Sequence, residues 1–523
     1  MTVRNTRKLI GPHRRMPAQD SLWLHLDRPE NLMVVTSVLW TRTPVDAARL
    51  RSLVSDRLLA RYPVYLQRAV RHGGPTQTVT WETDPGFDLG KHVVEQELPA
   101  PADQAALEDF VAARRSAPLN PIRPLWTIDL LQGYRGGSAL VCRTHHAMAD
   151  GIRLTQVLFS LLDPADGDAA APHAKVGGAA PHREAVAQPV VRLGAAVLRA
   201  LGDTGAKAQQ QAARVHPALE TAVAVPVLGA TAAVGATGAV AGFLASALDG
   251  GPRRVVDTVA GAATTIWHSA TGAADLLGPS TATGLWDGEP GVEKTAAWGE
   301  PIPLAELARV GHQTGTTVND VCTALVAGAL DRYFSAHGTA RPDRSDLGWL
   351  IPVSLSSFDD ELPATLGNHF SLVLAQLPLG RRTFAERLAE VHRRVARIRD
   401  SYEPVLTFGV QYAIAQSPAP LGLALSGFFA GKAVGVLTNV PGPRAPMTLA
   451  GAEVEGIVGW APCSGRQAIT ICVFSYAGQV RFGFGTDRKL IPDPATLVAG
   501  LAAEFAALPC APASDASSRG SRL

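Results

Sequence analysis

The chain has 523 residues, longer than a single hydrophobic core usually grows, so two domains are expected. Lys and Arg number 48 against 46 Asp and Glu, leaving a formal net charge of +2 and no dominant basic stripe, which argues against nucleic acid as a partner. Cys142, Cys322, Cys463, Cys472 and Cys510 are odd in number, far apart and mostly set in apolar runs, which suits reduced core thiols. The basic opening, residues 1–15, lacks the apolar core of a secretory signal, so no export is expected and the protein is placed in the cytoplasm.

In chain order, residues 32–40 are rich in Val and read as a strand. Thr43-Pro44-Val45-Asp46 reads as a helix start, with Thr43 as N-cap and Pro44 first in the helix. Leu50, Leu53, Val54 and Leu58 then recur at helical spacing until Pro63. Residues 76–81 alternate as a strand. His92 beyond them reads as a core residue rather than a second proton-transfer group, because lone histidines are commonly of intermediate burial. A helix over 103–115 leads to a strand over 126–131, and Gly133 to Gly137 turn the chain into another strand, 139–144. Residues 151–162 read as a helix with one apolar face.

Between that second strand and that helix stands His145-His146-Ala147-Met148-Ala149-Asp150-Gly151. A strand end is a common place to display reactive groups. Imidazole, with an ordinary pKa of about 6.5, accepts and returns a proton near neutrality and so serves as a general base for a hydroxyl or thiol. Successive side chains of a strand point to opposite faces, so only one of the two histidines enters a given pocket. Asp150 is suited to fix the loop through hydrogen bonds or an Arg pair, and Gly151 permits a backbone conformation or a close approach that a Cβ would obstruct. Adjacent strand histidines make a poor metal site, and neither HExxH nor CxxC accompanies them, so no metal is expected.

From about residue 164 to 284 Ala, Gly and Val dominate. Val255, Val259, Ala262, Ile266, Ala270 and Leu277 follow a helical stripe, so a long helical connector is expected over 164–289. Residues 221–248 carry no charge and are long enough to span a bilayer. Their Gly and Ala content makes them a weak insertion sequence, and a lipid-facing surface is expected instead.

The second half begins near residue 290. Thr317-Val318-Asn319-Asp320 opens a helix in the manner of a capping box, so Asp320 is read both as a cap and as a site candidate. Strands are expected over 349–355 and 434–439, a charged-faced helix over 384–398, and a terminal hairpin of 468–474 and 480–484 about Tyr476-Ala477-Gly478. Residues 511–523 read as a disordered tail. No GxSxG elbow, Walker loop or complete GxGxxG is present, so a serine hydrolase, an NTPase and a Rossmann protein lack their anchors.

The heptapeptide matches the HHxxxDG signature of chloramphenicol-acetyltransferase-like acyltransferases and peptide-synthetase condensation domains. More closely, the chain resembles the bacterial wax ester synthase/diacylglycerol acyltransferase family. Pro124-Leu125-Trp126 resembles its PLW motif and Asn319-Asp320 its ND motif. Asp20, Pro352-Val353-Ser354, Gly367-Asn368 and Asn439-Val440-Pro441-Gly442-Pro443 follow in family order. Two stretches depart from the pattern: residues 283–288 with Glu293-Lys294 replace a family block, and Ser356 stands where an Arg often follows PVS.

The resemblance implies an α/β fold of two acetyltransferase-like domains, 1–163 and 290–510, flanking a central tunnel. It implies acyl-CoA as co-substrate with no bound cofactor. His146 would be the base, His145 and Asp150 would support it, and Gly151, Asn319, Asp320, Pro124, Leu125 and Trp126 would be structural or supporting. The implied reaction is acyl transfer to diacylglycerol, giving triacylglycerol, at a membrane or lipid-droplet surface. The alternatives are wax ester synthesis on long-chain alcohols, a non-catalytic lipid-binding or droplet protein of the same fold, and a condensation-type enzyme using a carrier-protein thioester.

Overall fold

A computed structural model describes residues 13–73, 78–165, 286, 288–338, 346–354, 361–380, 383–401, 403–416 and 419–508. The expected connector helices, the uncharged run 221–248, Ser356, Cys510 and the C-terminal tail lie outside the described residues.

Two seven-stranded sheets organise the rest. In the first, the strand Ser138–His145 is third of the seven, flanked antiparallel by the central strand Val34–Thr41 and by Trp126–Gln132. The second is built on Gly435–Pro441, Ile469–Tyr476, Gln479–Asp487 and Asp346–Ser354, with Phe370–Pro378 on one edge. The helix Val318–Ala336 is buried on nearly every side from Asp320 to Leu330, and it packs against Leu304–Thr314, Phe384–Arg399 and Pro494–Ala506. A helix apolar all round must be enclosed, and these three helices enclose it.

The sheets do not follow the two halves of the sequence. Met447–Leu449 and Ala452–Trp460 leave the second half and complete the first sheet: Ala452–Trp460 pairs with Val34–Thr41, with Val458 opposite Val38. Trp40, Trp298 and Trp460 pack in series, the first pair stacked at 6.0 Å and the second tilted at 5.9 Å, joining the sheets through one apolar cluster with Leu107 and Val111 of the helix Gln104–Ser116.

Local expectations meet three corrections. The helix after residue 43 is Ala47–Val54, and its N-cap is Asp46, whose carboxylate accepts from the Arg49 N–H at 2.7 Å. Thr43 does not cap it, because the Val45 N–H is taken by Ser138 Oγ at 2.9 Å, which holds this stretch extended. The helix does not run to Pro63 either, since it widens into a π-turn over Ser55–Leu59. The third correction concerns the helix after Gly151. It stops at Phe159, and Leu162–Pro164 becomes a short strand against Met447–Leu449, a partner remote in sequence. The terminal hairpin is as expected. Ala477 and Gly478 both take positive φ, 47° and 75°, between the paired Tyr476 and Gln479, the requirement of a two-residue loop matched to strand twist.

Candidate active site

The strand Ser138–His145 ends level with the starts of its two antiparallel neighbours, His145 opposite Val34 and Thr144 opposite Trp126, and the chain turns at once. The N–H of His145 donates to Leu125 O at 2.9 Å, that of His146 to Met33 O at 2.7 Å and that of Met148 back to His145 O at 3.0 Å. Leu125 thus anchors the strand end. Trp126 buttresses it from below, its indole N–H donating to Tyr65 O at 2.8 Å and its ring stacking on His92 at 4.5 Å. His92 is a core residue, its Nδ1 2.7 Å from Trp126 O.

The two histidines part company as the alternation of a strand requires. His145 turns toward Asp27. Its Nδ1 accepts from the Ala147 N–H at 3.0 Å, which in the neutral ring leaves the proton on Nε2, 3.7 Å from Asp27 Oδ2. Asp27 Oδ1 in turn accepts from the Met33 N–H at 2.7 Å. This chain of contacts supports the loop from behind.

His146 turns to the other side. Its ring lies 4.2 Å from that of Trp23 and 5.3 Å from that of Phe370, and only 5 % of the residue is exposed. Burial pushes its pKa down to about 4, against the opposing pull of the Asp150 carboxylate, so the imidazole is neutral at pH 7 and free to take a proton. Trp23 and Phe370 also line an open apolar groove, which runs on past Leu26, Leu372, Ile414 and Phe429. A second, more polar groove lies on the side of Val34, the strand partner of His145. There Lys294 is neutralised by Asp487 at 2.6 Å.

Asp150 is a cap and a cross-link. Oδ1 accepts from the Arg153 N–H at 3.0 Å, starting the helix Gly151–Phe159, while Oδ2 accepts from the His369 N–H at 2.9 Å. Arg153, one turn on, donates to Leu366 O and Gly367 O at 2.8 and 3.0 Å, and Ala149 bridges to Gly367. A segment of the second half is thereby strapped to the histidine loop. Asn368 of that segment donates to His146 O at 2.8 Å and to Asp20 Oδ1 at 2.9 Å. A Cβ at Gly151 would meet open space, so no close approach accounts for that glycine.

Asn319 and Asp320 are tied elsewhere. Asn319 Oδ1 accepts from Asn439 Nδ2 at 3.0 Å. Asp320 Oδ2 accepts from the Thr317 N–H at 2.9 Å in a capping box and lies 2.8 Å from His392 Nδ1. Of the stretches departing from the family pattern, Trp286 is buried 4.7 Å from Phe334.

Sequence reasoning missed Trp23, Asp27, Arg153 and Phe370. Arg153 carried a usable signal, three residues after a helix-capping aspartate. The other three are brought in by tertiary packing.

Two α/β sheets joined by an exchanged strand, with an HHxxxDG loop held between them beside an apolar groove, define the chloramphenicol-acetyltransferase-like acyl-transfer class. Solved structures share this fold: a wax ester synthase/diacylglycerol acyltransferase from Marinobacter aquaeolei VT8 (20% identity, TM-score 0.60, covering 94% of this chain and 98% of that one) and the first condensation domain of the CDA synthetase (17%, 0.52, 95% and 97%).

The chain belongs to the wax ester synthase/diacylglycerol acyltransferase family, whose catalytic-domain profile matches residues 16–237 and whose C-terminal-domain profile matches 366–509. Its relatives include a Mycobacterium tuberculosis (strain CDC 1551 / Oshkosh) protein named "Probable diacyglycerol O-acyltransferase tgs1", 27% identical over 428 residues and covering 80% of this chain and 79% of that protein. Another, "tgs2" of the same strain, is 25% identical over 502 residues, covering 93% and 96%.

Proposed function

We propose that this protein is an O-acyltransferase that moves a fatty acyl group from acyl-CoA to diacylglycerol, with His146 as general base. The observation that carries the proposal is a neutral, buried imidazole packed against Trp23 and Phe370, two aromatic rings that themselves line an apolar groove. The hydroxyl of diacylglycerol gives its proton to His146 as its oxygen attacks the thioester carbonyl. The tetrahedral intermediate then collapses, a C–O ester bond replaces the C–S bond, and the proton passes to the departing CoA thiolate. Asp150 favours the imidazolium formed midway, because its negative charge opposes the effect of burial. His145 and Asp150 hold the loop, and the groove takes the acyl chain.

A greasy substrate and the uncharged run 221–248 support peripheral attachment of a cytoplasmic protein to a membrane or lipid-droplet surface. No described helix is long and apolar enough to cross a membrane. Pelleting with membranes and release by detergent but not by salt is the expected result.

The function is tested by acyl transfer from palmitoyl-CoA to diacylglycerol and, separately, to hexadecanol. Triacylglycerol formation that disappears in His146→Ala, with the melting temperature retained, is the expected result. A larger yield with hexadecanol reassigns the acceptor to wax synthesis. Wild type and variant equally inactive while lipid still binds would leave a lipid-binding protein.

A further inference from the structure

We infer that Asp20 is a positioning residue for His146, acting through the carboxamide of Asn368. The inference rests on the reading of His146 as the base. Asp20 lies on the helix Ala18–Leu26 and is 3 % exposed, and a carboxyl so deeply placed is tolerated only when its oxygens are bonded. Its Oδ1 accepts twice from one residue, from the Asn368 backbone N–H at 3.1 Å and from Asn368 Nδ2 at 2.9 Å. The same Nδ2 spends its other hydrogen on His146 O, at 2.8 Å.

The carboxamide has one orientation only. Turned over, Asn368 would present its oxygen to two acceptors, Asp20 Oδ1 and His146 O, and both bonds would become repulsions. The backbone is prepared for this contact as well. Gly367 sits at φ +92°, and a Cβ there would stand 3.4 Å from Asp20 Oδ2. Arg14 and Arg153 supply positive charge nearby, and burial still outweighs them, pushing the Asp20 pKa up to about 6.

Three residues on from Asp20, on the same side of the helix, Trp23 lies tilted against the His146 ring at 4.2 Å. One helix therefore holds the base at two points, the peptide oxygen through Asn368 and the imidazole through Trp23. Removal of the Asp20 acceptor frees the carboxamide to rotate and loosens the peptide that carries the ring. Misplacement of a reacting group by a fraction of an ångström lowers turnover without removing any group that binds substrate.

The full-length protein is assayed with palmitoyl-CoA and diacylglycerol, alongside thermal melting, as wild type, His146→Ala, Asp20→Ala, Asp20→Asn, Asn368→Ala and the Asp20→Ala/Asn368→Ala pair. Asp20→Ala is expected to lower kcat about 10- to 100-fold while KM for palmitoyl-CoA stays within about twofold. Asp20→Asn, which keeps an acceptor oxygen, recovers kcat to within about threefold of wild type. The double variant is no worse than Asp20→Ala by more than about threefold, because both changes cut one relay.

The inference is overturned if Asp20→Ala turns over like wild type while His146→Ala is inactive, if the two losses multiply, or if Asp20→Asn fails as badly as Asp20→Ala. Should Asp20→Ala not fold, Asn368→Ala decides alone, by losing or keeping kcat at an unchanged melting temperature. An active His146→Ala would instead remove the base assignment itself.

Discussion

Two helix starts in this molecule use nearly the same local chemistry to different ends. Asp150 opens the helix Gly151–Phe159 and Asp320 opens Val318–Ala336. Both are buried, at 3 % and 1 % exposure, and both bond backbone N–H groups at the start of their helix. They differ in where the second contact goes. Asp150 reaches out of its own half to the His369 N–H, next to the residue that holds His146, while Asp320 reaches His392 within the second half. The same residue type in the first turn of a helix, as N-cap in one case and as N3 of a capping box in the other, is thus a strap from the histidine loop to the second half in one place and a fastener of a core helix in the other. What separates them is the address of one oxygen.

Substitutions separate the two roles, beginning with the reference that fixes the scale. His146→Ala is expected to reduce kcat/KM by about 10²- to 10⁴-fold, the usual worth of a general base, with thermal melting little changed. Asp150→Ala removes the cap and the strap together. It is expected to lower kcat by about tenfold or more and stability by about 1–2 kcal/mol, measured by turnover and by denaturant unfolding. Asp320→Ala is expected to lower stability by about 1–3 kcal/mol, since it leaves the Thr317 N–H and His392 without their acceptor, yet to leave kcat per folded molecule within about twofold. A tenfold fall in kcat there would join the two helix starts functionally and break the comparison.

Acid sharpens the contrast further. The folded pKa of His146, about 4, lies below the unfolded value of about 6.5, so the unfolded chain binds more protons between them. The stability that depends on neutral His146 is complete above about pH 6.5 and is lost as pH falls toward 4. Asp20 works the other way. Its folded pKa, about 6, exceeds the ordinary carboxyl value of 3.8, so the folded chain binds more protons between these values and the penalty of its charge eases as pH falls. His146→Ala is therefore expected to flatten the loss of stability between pH 6.5 and 4, and Asp20→Asn to steepen it, as measured by denaturant midpoints across that range. His392→Ala, which removes a partly exposed partner of Asp320, is the smallest change, expected within about 1 kcal/mol and silent in turnover.

The sequence reveals elements whose cause is local and hides those whose cause is remote. His146, the capping of Gly151–Phe159 by Asp150 and the Thr317–Asp320 box follow from motif and capping chemistry, and the hairpin about Ala477-Gly478 follows from turn chemistry. The short strand Leu162–Pro164 was hidden because only Met447–Leu449, far along the chain, makes it one. Asp46 displaced Thr43 as cap because Ser138 takes a nearby N–H, a contact that no local pattern encodes. Trp23 and Phe370 read as ordinary apolar residues until packing brings them to the imidazole, and Asn368, visible as part of a motif, gains its purpose from Asp20 and His146 on separate elements.

The exchanged strand Ala452–Trp460 bears on how the chain is made. On the ribosome, Val34–Thr41 emerges early, yet the partner that closes its open edge appears only after more than 400 further residues, as the pairing of Asn31 with Gly465 across 434 positions also records. At about 5–20 residues per second that edge waits on the order of half a minute, an interval in which an unpaired strand invites the wrong neighbour. Completion of the first sheet is therefore a late event in the synthesis of this protein, and the histidine loop, whose strap also comes from the second half, is assembled only then.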